Sequence, residues 1–264
     1  MRVSLLKTYK IEYFIIYIFF IKMYKLDNWV DASKLDPYFL SANPRALLYL
    51  EEHPAMLDWI GFSKNTEAVH ILRRNMDKVC WWHLSTNSAA IDILNENPSK
   101  IVWDGLSRNS AAIDLLMENQ DKINWSILNE NTAAFDLLKA NPNRINWTWM
   151  SNNIAAADLL TCNIDSIEWL MLSCNPAAIK LIEQNQDKVC WMLMSSNSAA
   201  IHLLKQHLDE ISWEILGGNE AIFVYDYERM KKNIAPFHEE LIARTMHPSR
   251  LQAWLNAGLP IDDF

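Results

Sequence analysis

The feature that most constrains the fold is a tryptophan that recurs every 22 residues. It occurs at Trp59, Trp81, Trp103, Trp125, Trp147, Trp169, Trp191 and Trp213. A segment of this length is too small to bury its own apolar face, so neighbouring segments must stack into a continuous core. We therefore expect these tryptophans to be the structural anchors of the repeat, wedged between neighbouring units.

Other positions of the repeat keep the same register. An asparagine follows each anchor by six residues, and one unit further back Asn43 keeps this spacing while Pro37 takes the place of the tryptophan. Counted from Pro37, the array has about nine units. Leucine or methionine mostly follows the anchor by three residues, alanine by nine, and leucine or isoleucine by thirteen. The sequence therefore gives every unit the same set of small and apolar positions.

Two asparagines in each unit predict two helix starts. Asparagine is a favoured N-cap because its side-chain oxygen accepts a free backbone N–H of the first turn. The second asparagine follows the anchor by sixteen residues, and Pro98 and Pro142 come directly after it, where proline is favoured. We predict two helices of about ten residues in each unit, which need lateral packing to be stable.

The fold class that this pattern predicts is all-α, an α/α solenoid of two-helix repeats. A leucine-rich repeat is the alternative, because its units have a similar length. That motif would bury the aspartates five residues before the second asparagine, which are Asp92, Asp114, Asp136 and Asp158. Paired alanines also favour helix, so the helical solenoid is preferred.

The sequence predicts three segments: residues 1–22 as an apolar extension, 23–222 as the solenoid and 223–264 as a C-terminal cap. The apolar run at 11–21 is shorter than the roughly 20 residues that cross a bilayer. It is interpreted as an extension upstream of Met23, an additional capping element or a weak membrane anchor. At the other end the register decays from Gly217 and Gly218 onward. Atypical terminal repeats are what caps look like, so we expect closing helices after residue 237.

Composition bears on the class of function. The formal net charge of −8 argues against a nucleic-acid binder, which needs clustered Lys and Arg. The chain has no Gly-rich phosphate loop and no zinc-binding motif, and His238 and His247 are interpreted as surface residues. The four cysteines are interpreted as reduced side chains. We therefore predict no catalytic residue, cofactor or metal, and no enzymatic activity.

A variable position suggests a binding surface. The residue directly after the anchor is Tyr38, Ile60, Trp82, Asp104, Ser126, Thr148, Leu170, Met192 or Glu214. A core position cannot vary from aspartate to tryptophan, so we expect this row to be exposed. Its apolar members form one strip at Tyr38, Ile60 and Trp82 and a second at Leu170 and Met192. We predict that these five side chains bind a protein partner, with Trp82 as the strongest candidate because aromatic residues dominate interface energetics.

The unit NSAAIDILNENPSKIVWDGLS at 87–107 and the ending HPSRLQAWL at 247–255 resemble a repeat family of giant DNA viruses. The resemblance covers residues 27–260, and the first unit departs from it with Pro37 in place of tryptophan. It implies a viral origin, a location in the host cytoplasm or the virion, and a non-enzymatic role. It assigns no binding residues.

Two functions follow as hypotheses. The first is a protein–protein interaction scaffold that binds a host or viral protein through the repeat surface. The second is a virion structural component, in which the array acts as a strut between capsid or core proteins. Neither hypothesis involves nucleic acid, and the short apolar run does not favour a membrane protein.

Overall fold

The computed structural model describes residues 23–233, 235, 248, 249 and 252. The predicted extension at 1–22, the two surface histidines His238 and His247, and nearly all of the predicted closing helices lie outside the described residues. The chain divides into two compact parts. The larger part is Lys25–Val224, which we call the ring domain. The smaller part contains Tyr24 and the residues from Tyr225 onward.

The all-α prediction is confirmed in the ring domain, where every repeat contributes short helices. A first helix of four to six residues starts at each anchor position: α1 (Pro37–Ala42), α3 (Trp59–Phe62), α5 (Trp81–Thr86), α7 (Trp103–Arg108), α9 (Trp125–Leu128), α11 (Trp147–Met150), α13 (Trp169–Leu172), α15 (Trp191–Met194) and α17 (Trp213–Leu216). A second helix follows in the repeats that start at residues 37 to 191: α2 (Leu47–Glu52), α4 (Val69–Leu72), α6 (Ile91–Glu96), α8 (Ile113–Glu118), α10 (Phe135–Lys139), α12 (Ala157–Cys162), α14 (Ile179–Gln184) and α16 (Ile201–Leu204).

Three-residue 3₁₀ turns connect these helices. One set follows the first asparagine of each repeat: Pro44–Ala46, Thr66–Ala68, Ser88–Ala90, Ser110–Ala112, Thr132–Ala134, Ile154–Ala156, Pro176–Ala178, Ser198–Ala200 and Glu220–Ile222. A second set precedes the next anchor: Ala32–Lys34, Pro54–Met56, Pro98–Lys100, Gln120–Lys122, Pro142–Arg144 and Ile164–Ser166. Two short strands, β1 (Tyr24–Leu26) and β2 (Phe223–Tyr225), pair in a two-stranded sheet.

The helices are shorter than the ten residues that we predicted. At the end of the fourth repeat the turn Gln120–Lys122 ends at Ile123, whose backbone is extended with φ −68° and ψ 126°. The next residue, Asn124, is also extended, because the N-cap of α9 needs a non-helical backbone. Two extended residues therefore divide the helix predicted around this anchor into a 3₁₀ turn and a short α-helix, whereas the second helix continues directly from its 3₁₀ turn.

The first asparagine of each repeat joins neighbouring repeats. Asn131 accepts a hydrogen bond from the backbone N–H of Ala133 (3.0 Å), as the N-cap prediction requires. Its Nδ2 also donates to two carbonyls of the preceding repeat, those of Ser107 (3.0 Å) and Asn109 (2.9 Å). The same three bonds recur at the other first asparagines from Asn65 to Asn219. We call this series of inter-repeat bonds the asparagine ladder.

The asparagine ladder returns to its starting point. The Nδ2 of Asn43, in the first repeat, donates to the carbonyls of Gly217 (3.0 Å) and Asn219 (3.1 Å) in the last repeat. These carbonyls are equivalent to those that every other first asparagine contacts in the repeat before it. The predicted solenoid is therefore a closed ring of nine repeats rather than an open array.

The beginning of the ring domain completes its last repeat. Lys34 lies two repeat lengths before Lys78 and holds the equivalent position. The Nζ of Lys78 is 4.7 Å from the ring centroid of Trp59, the anchor of its own repeat. The Nζ of Lys34 is 4.8 Å from the ring centroid of Trp213, the anchor of the ninth repeat. Leu35 is buried at the position that isoleucine or valine holds in later repeats. The N–H of Asp27 donates to the Ile222 carbonyl (2.8 Å). Both ends of the ring domain thus meet within the ninth repeat.

Ring closure also explains the sequence change that we interpreted as the start of a cap. A Cβ atom on Gly217 would lie 3.1 Å from the backbone nitrogen of Leu40 in the first repeat. Serine holds this position in most repeats, whereas glycine leaves space for the first repeat to approach. The two glycines therefore belong to the closure of the ring, because α1 packs against this end of the last repeat, and the cap at 223–264 stays a prediction.

The anchor tryptophans are half-buried and not enclosed between repeats as we expected. In the repeats of Trp59, Trp103, Trp125 and Trp169, a basic side chain near the end of the repeat covers the ring face, at 4.4 Å for Lys122 over Trp103 and 4.9 Å for Arg144 over Trp125. The most deeply buried side chains are the leucine or methionine, the alanine and the second leucine or isoleucine of each repeat, as Leu128, Ala134 and Leu138 illustrate. Cation–π contacts of this kind stabilise by about 0.5–1 kcal/mol at exposed sites.

The second asparagine of each repeat ends a helix instead of starting one. The Nδ2 of Asn97 donates to the Ile93 carbonyl four residues earlier (2.9 Å), and its side chain caps no N–H of the following turn. Its backbone, with φ −130° and ψ 58°, is not helical, so it is the C-cap of α6. The N-cap prediction is therefore wrong for this set, although Pro98 does occupy the first position of the next turn.

The described residues of the smaller part, 23–24, 225–233, 235, 248, 249 and 252, include Tyr24 and Tyr225. The rings of these two tyrosines stack with centroids 5.0 Å apart. The N–H of Asp226 donates to the Met23 carbonyl (2.9 Å), and its carboxylate accepts from the N–H of Arg229 (3.1 Å) where the chain becomes helical at 227–233. Among all described residues, no helix has the length and apolar character that crossing a membrane requires.

The asparagine ladder predicts the effect of replacing Asn131 by alanine. The free energy of unfolding should fall by about 2–4 kcal/mol, because a buried cap and two buried hydrogen bonds are lost together. Urea unfolding followed by tryptophan fluorescence measures this. Asn141→Ala in the same repeat is the matched control, since Asn141 is half-buried and its Nδ2 bonds only the Leu137 carbonyl. Equal losses for both variants would contradict a ladder role.

Closure of the ring predicts that Asn43 matters as much as an internal asparagine. In an open array the first repeat would have no preceding carbonyls to bind. Asn43→Ala would then lower the free energy of unfolding only by the contribution of its N-cap, about 1 kcal/mol. In the closed ring we expect a loss close to that of Asn131→Ala, about 2–4 kcal/mol by the same urea measurement. A loss confined to the smaller value would show that the ring is open in solution.

Candidate binding site in the centre of the ring

The first helices line the inside of the ring. A Cβ atom on Gly61 would lie 2.0 Å from the Tyr38 carbonyl oxygen, and one on Gly105 would lie 2.6 Å from that of Trp82. Neighbouring first helices therefore approach backbone to backbone, and glycine is required at these two places. In a closed ring, the more closely spaced layer of elements is the inner one. The exposed side chains of the first helices consequently point towards the ring centre.

Two rows of side chains surround this centre. The residue directly after the anchor belongs to the rim row, which is the variable row identified from the sequence. The residue five after the anchor belongs to what we call the central row: Ala42, Lys64, Thr86, Arg108, Glu130, Asn152, Cys174, Ser196 and Gly218. Members of the two rows are four residues apart in a repeat, which places them on one side of the helix.

An ion pair occupies part of the central row. Arg108 contacts Glu130 of the next repeat through Nε and Oε2, with 30% and 8% of the two side chains exposed. The contact is an ion pair, but Nε does not meet the geometry of a hydrogen bond. The Arg108 guanidinium carbon also lies 5.9 Å from the ring centroids of both Trp82 and Trp149. Trp149 is two repeats away from Arg108, so these side chains meet across the inside of the ring.

The environment of Glu130 is desolvated yet rich in positive charge. Burial raises the pKa of Glu130 above its ordinary value, while Arg108, a hydrogen bond from Asn152 and the charge of Lys64 act in the opposite direction. The net effect is a raised pKa, so burial outweighs the attraction of the two cations. The two cations offset part of the cost of burying this carboxylate.

Lys64 faces the same centre without a partner. Its side chain is accessible to water, yet protein surrounds it on most sides: burial lowers the pKa of Lys64, and the charge of Arg108 lowers it further, against the opposing effect of Glu130. This combination indicates a residue that lines a concave space. Within the residues that the structure describes, the ammonium of Lys64 has no hydrogen bond or ion pair, and only its backbone N–H is bonded, to the Gly61 carbonyl (3.0 Å).

A chain of hydrogen bonds continues the cluster. The hydroxyl of Tyr38 lies 2.9 Å from His83 Nε2, and the other ring nitrogen, Nδ1, lies 3.1 Å from Cys80 Sγ. Burial lowers the pKa of His83, and Lys64 and Arg108 lower it further against the effect of Asp58. His83 is therefore neutral at pH 7. A neutral imidazole does not stabilise a thiolate by charge, so the geometry favours positioning of Tyr38 over activation of Cys80.

Four of the five predicted binding residues are exposed. The exposed fractions are 50% for Ile60, 37% for Trp82, 49% for Leu170 and 51% for Met192. Tyr38 differs, because its hydroxyl contacts His83 and its side chain is half-buried. The structure thus places Tyr38 in the polar cluster, against our expectation that it is an exposed member of the strip. Whether the other four bind a partner stays a prediction.

Ring closure brings the two predicted strips together. Repeats seven and eight, with Leu170 and Met192, are followed by the ninth repeat and then directly by the first. The two strips consequently belong to one arc, in which Glu214 of the ninth repeat is the charged interruption. The remaining arc of the rim row is polar and consists of Asp104, Ser126 and Thr148.

The central row was missed from the sequence, although a signal was present. Its neighbours hold an almost constant serine, as at Ser63, and a constant asparagine, as at Asn65. Between them the central row changes from lysine to arginine, glutamate, cysteine and glycine. The argument that identified the rim row, a variable position within a regular repeat, applies equally to this one.

Elsewhere in the described chain, the side chains that could bind a metal or react as nucleophiles are scattered. No group of three or more His, Cys, Asp or Glu among the described residues could hold a metal ion. All four cysteines are free. The aspartates five residues before the second asparagine of a repeat are exposed: Asp92, Asp114, Asp136 and Asp158.

Comparisons with known proteins leave the resemblance to the viral repeat family a prediction. No family model matches the chain, and neither a curated protein nor a solved structure matches it significantly. The function must therefore be argued from the geometry of the ring.

The lowered pKa of His83 predicts a specific dependence of stability on pH. Below about pH 6.5 the unfolded chain takes up a proton at this residue, while the folded chain resists it. The contribution of His83 to stability is thus present above this pH and is lost as the pH falls towards the folded value. Urea unfolding at pH 7.5 and 5.5 should show a larger loss for the unmodified chain than for His83→Gln. Parallel losses would refute the desolvated environment of His83.

Proposed function

We propose that the chain is a non-enzymatic protein–protein interaction module, and that the ring centre with its apolar arc holds the partner. The single observation that carries this proposal is the arc of exposed apolar side chains at Leu170, Met192, Ile60 and Trp82. Exposed apolar surface on a soluble domain is typical of interaction sites when it is contiguous. Closure of the ring makes these four residues parts of one surface.

Charge and aromatic character support the same proposal. Arg108 lies beside Trp82 and Trp149, and arginine and tryptophan are the residue types most enriched at interface hot spots. The rigid first helices hold these side chains in place before a partner arrives. Pre-organisation of this kind lowers the entropy lost on binding.

The alternative, a strut between capsid or core proteins, is less well supported by the ring. A strut uses the two free ends of an open array, whereas the asparagine ladder joins the first and last repeats of this domain. The giant-virus origin and the location in host cytoplasm or virion rest on the sequence resemblance and stay predictions. The same holds for the expectation that the partner is a host or viral protein.

Proteins captured by the immobilised full-length chain test the proposal. From a lysate of cells that express the chain, we expect specific proteins that are lost with Trp82→Ala, because the indole is the largest apolar side chain of the arc. Ile154→Ala is the matched control, since Ile154 is 51% exposed and lies outside the rim row. Quantitative mass spectrometry compares the variants. A capture profile that Trp82→Ala leaves unchanged would contradict binding through the arc.

A further inference from the structure

We propose that the ring centre binds the C-terminal carboxylate of an apolar peptide segment, with Lys64 as the residue that recognises the carboxylate. The inference rests on the proposed function, because it specifies the partner of the same site. Its starting point is the ammonium of Lys64, which lines the ring centre, is accessible to water and is paired by no described residue. Arg108 lines the same centre and is paired with Glu130, so Lys64 adds an unbalanced positive charge to a concave site, and such a site attracts an anion from outside the chain.

The charges around Lys64 specify an anion with a single charge. Arg108 and Lys64 contribute two positive charges and Glu130 one negative charge, which leaves an excess of one positive charge. Asp58 acts on Tyr38 and His83 rather than on Lys64, and its carboxylate already accepts from the N–H of Gly61 (2.8 Å). A carboxylate balances this excess. A phosphate group with nearly two charges would exceed it and would be repelled by Glu130.

The enclosure of Lys64 favours a chain end over an internal segment. An internal acidic side chain reaches an enclosed site only if the chain enters and leaves the same concave space. A C-terminal carboxylate needs one path, and its two oxygens accept from several donors at once. The ammonium of Lys64 and the guanidinium of Arg108 are such donors, and charge-assisted hydrogen bonds are the strong ones.

The rim row specifies the residues that precede the carboxylate. It borders the central row at a distance of one helical turn, and the contact of Arg108 with the Trp82 ring joins the two rows directly. A peptide whose end lies at Lys64 would therefore place its preceding side chains against the apolar arc. Apolar residues bury surface there, whereas acidic residues would meet Glu214 at the interruption of the arc.

A pool of synthetic peptides tests this inference on the full-length chain. The peptides are N-acetylated hexapeptides with Leu, Ile, Val, Phe or Met at the last three positions, made both as free acids and as C-terminal amides. A third set consists of amides with an internal aspartate, and a fourth of amides with an internal phosphoserine. Mass spectrometry identifies the retained peptides, and calorimetry measures the dissociation constant of the best one. We expect free acids to bind about tenfold or more tightly than every amide set.

Variants at Lys64 separate recognition from folding. Lys64→Met keeps the length of the side chain and removes the charge, so we expect it to weaken binding of the free acid about tenfold or more and to leave the amide unchanged. Lys78→Met is the matched control, because Lys78 covers the Trp59 ring near the end of its repeat and is outside both rows. The affinity of the Lys78→Met variant for the free-acid peptide should stay within about twofold of that of the unmodified chain.

The stability of Lys64→Met gives a second readout that does not depend on any peptide. Loss of an enclosed, unpaired charge should leave the urea midpoint unchanged or raise it. A clearly lowered midpoint would show that Lys64 serves the fold and would overturn the inference. Equal binding of acids and amides, with both lost in Trp82→Ala, would overturn it while supporting the proposed function. Preference for the phosphoserine or internal aspartate set, or retention of no peptide, would also overturn it.

Discussion

The buried asparagine side chain is the interaction on which the rest of this structure depends. One short amide accepts a backbone N–H of its own repeat through Oδ1 and donates both protons of Nδ2 to carbonyls of the preceding repeat, as Asn131 does. Serine, aspartate or alanine at this position lacks either the donor pair or the acceptor. Each repeat is too short for stable helices of its own, so its helices persist because the amide and the apolar core fix them to their neighbours. A second bond acts in parallel: the hydroxyl of Ser107 accepts a hydrogen bond from the N–H of Asn124, the residue directly before the next anchor (3.0 Å), and in the fifth repeat the side chain of Asn129 takes over this role.

Much of the local structure could be predicted from the sequence, because it depends on bonds within one repeat and its neighbour. The spacing of Trp125 and Asn131 defined the repeat, and the N-cap role of the first asparagine is confirmed. The predicted N-cap role of Asn97 was wrong, because asparagine can cap either end of a helix. The backbone angles that decide between an N-cap and a C-cap are not visible in a sequence pattern. The cations over the tryptophan faces recur at a fixed spacing, but spacing alone does not show which side chain a residue covers. Their function is to cover aromatic rings that the core does not enclose.

Closure of the ring could not be derived in the same way. It is the sum of nine small rotations between repeats, and a few degrees of difference in each would give an open superhelix instead. A trace of closure is nevertheless present in the register: Lys34 and Leu35 hold the positions that end a repeat, although no anchor precedes them. The ring domain thus starts with the final part of a repeat and ends with the initial part of one.

The central row remained unrecognised for a related reason. Lys64, Arg108 and Glu130 lie in successive or alternate repeats, and they come together only because the repeats face a common centre.

Closure also constrains how such a chain can change over generations. In a linear array, duplication or deletion of a single 22-residue segment lengthens or shortens the molecule and leaves every remaining junction intact. Here the carbonyls of Gly217 and Asn219 must meet Asn43, so an additional or missing segment would move the two ends apart and expose a buried amide. Copy number is therefore held by geometry, and variation between descendants should accumulate as point substitutions in the inward-facing rows while the number of segments stays the same.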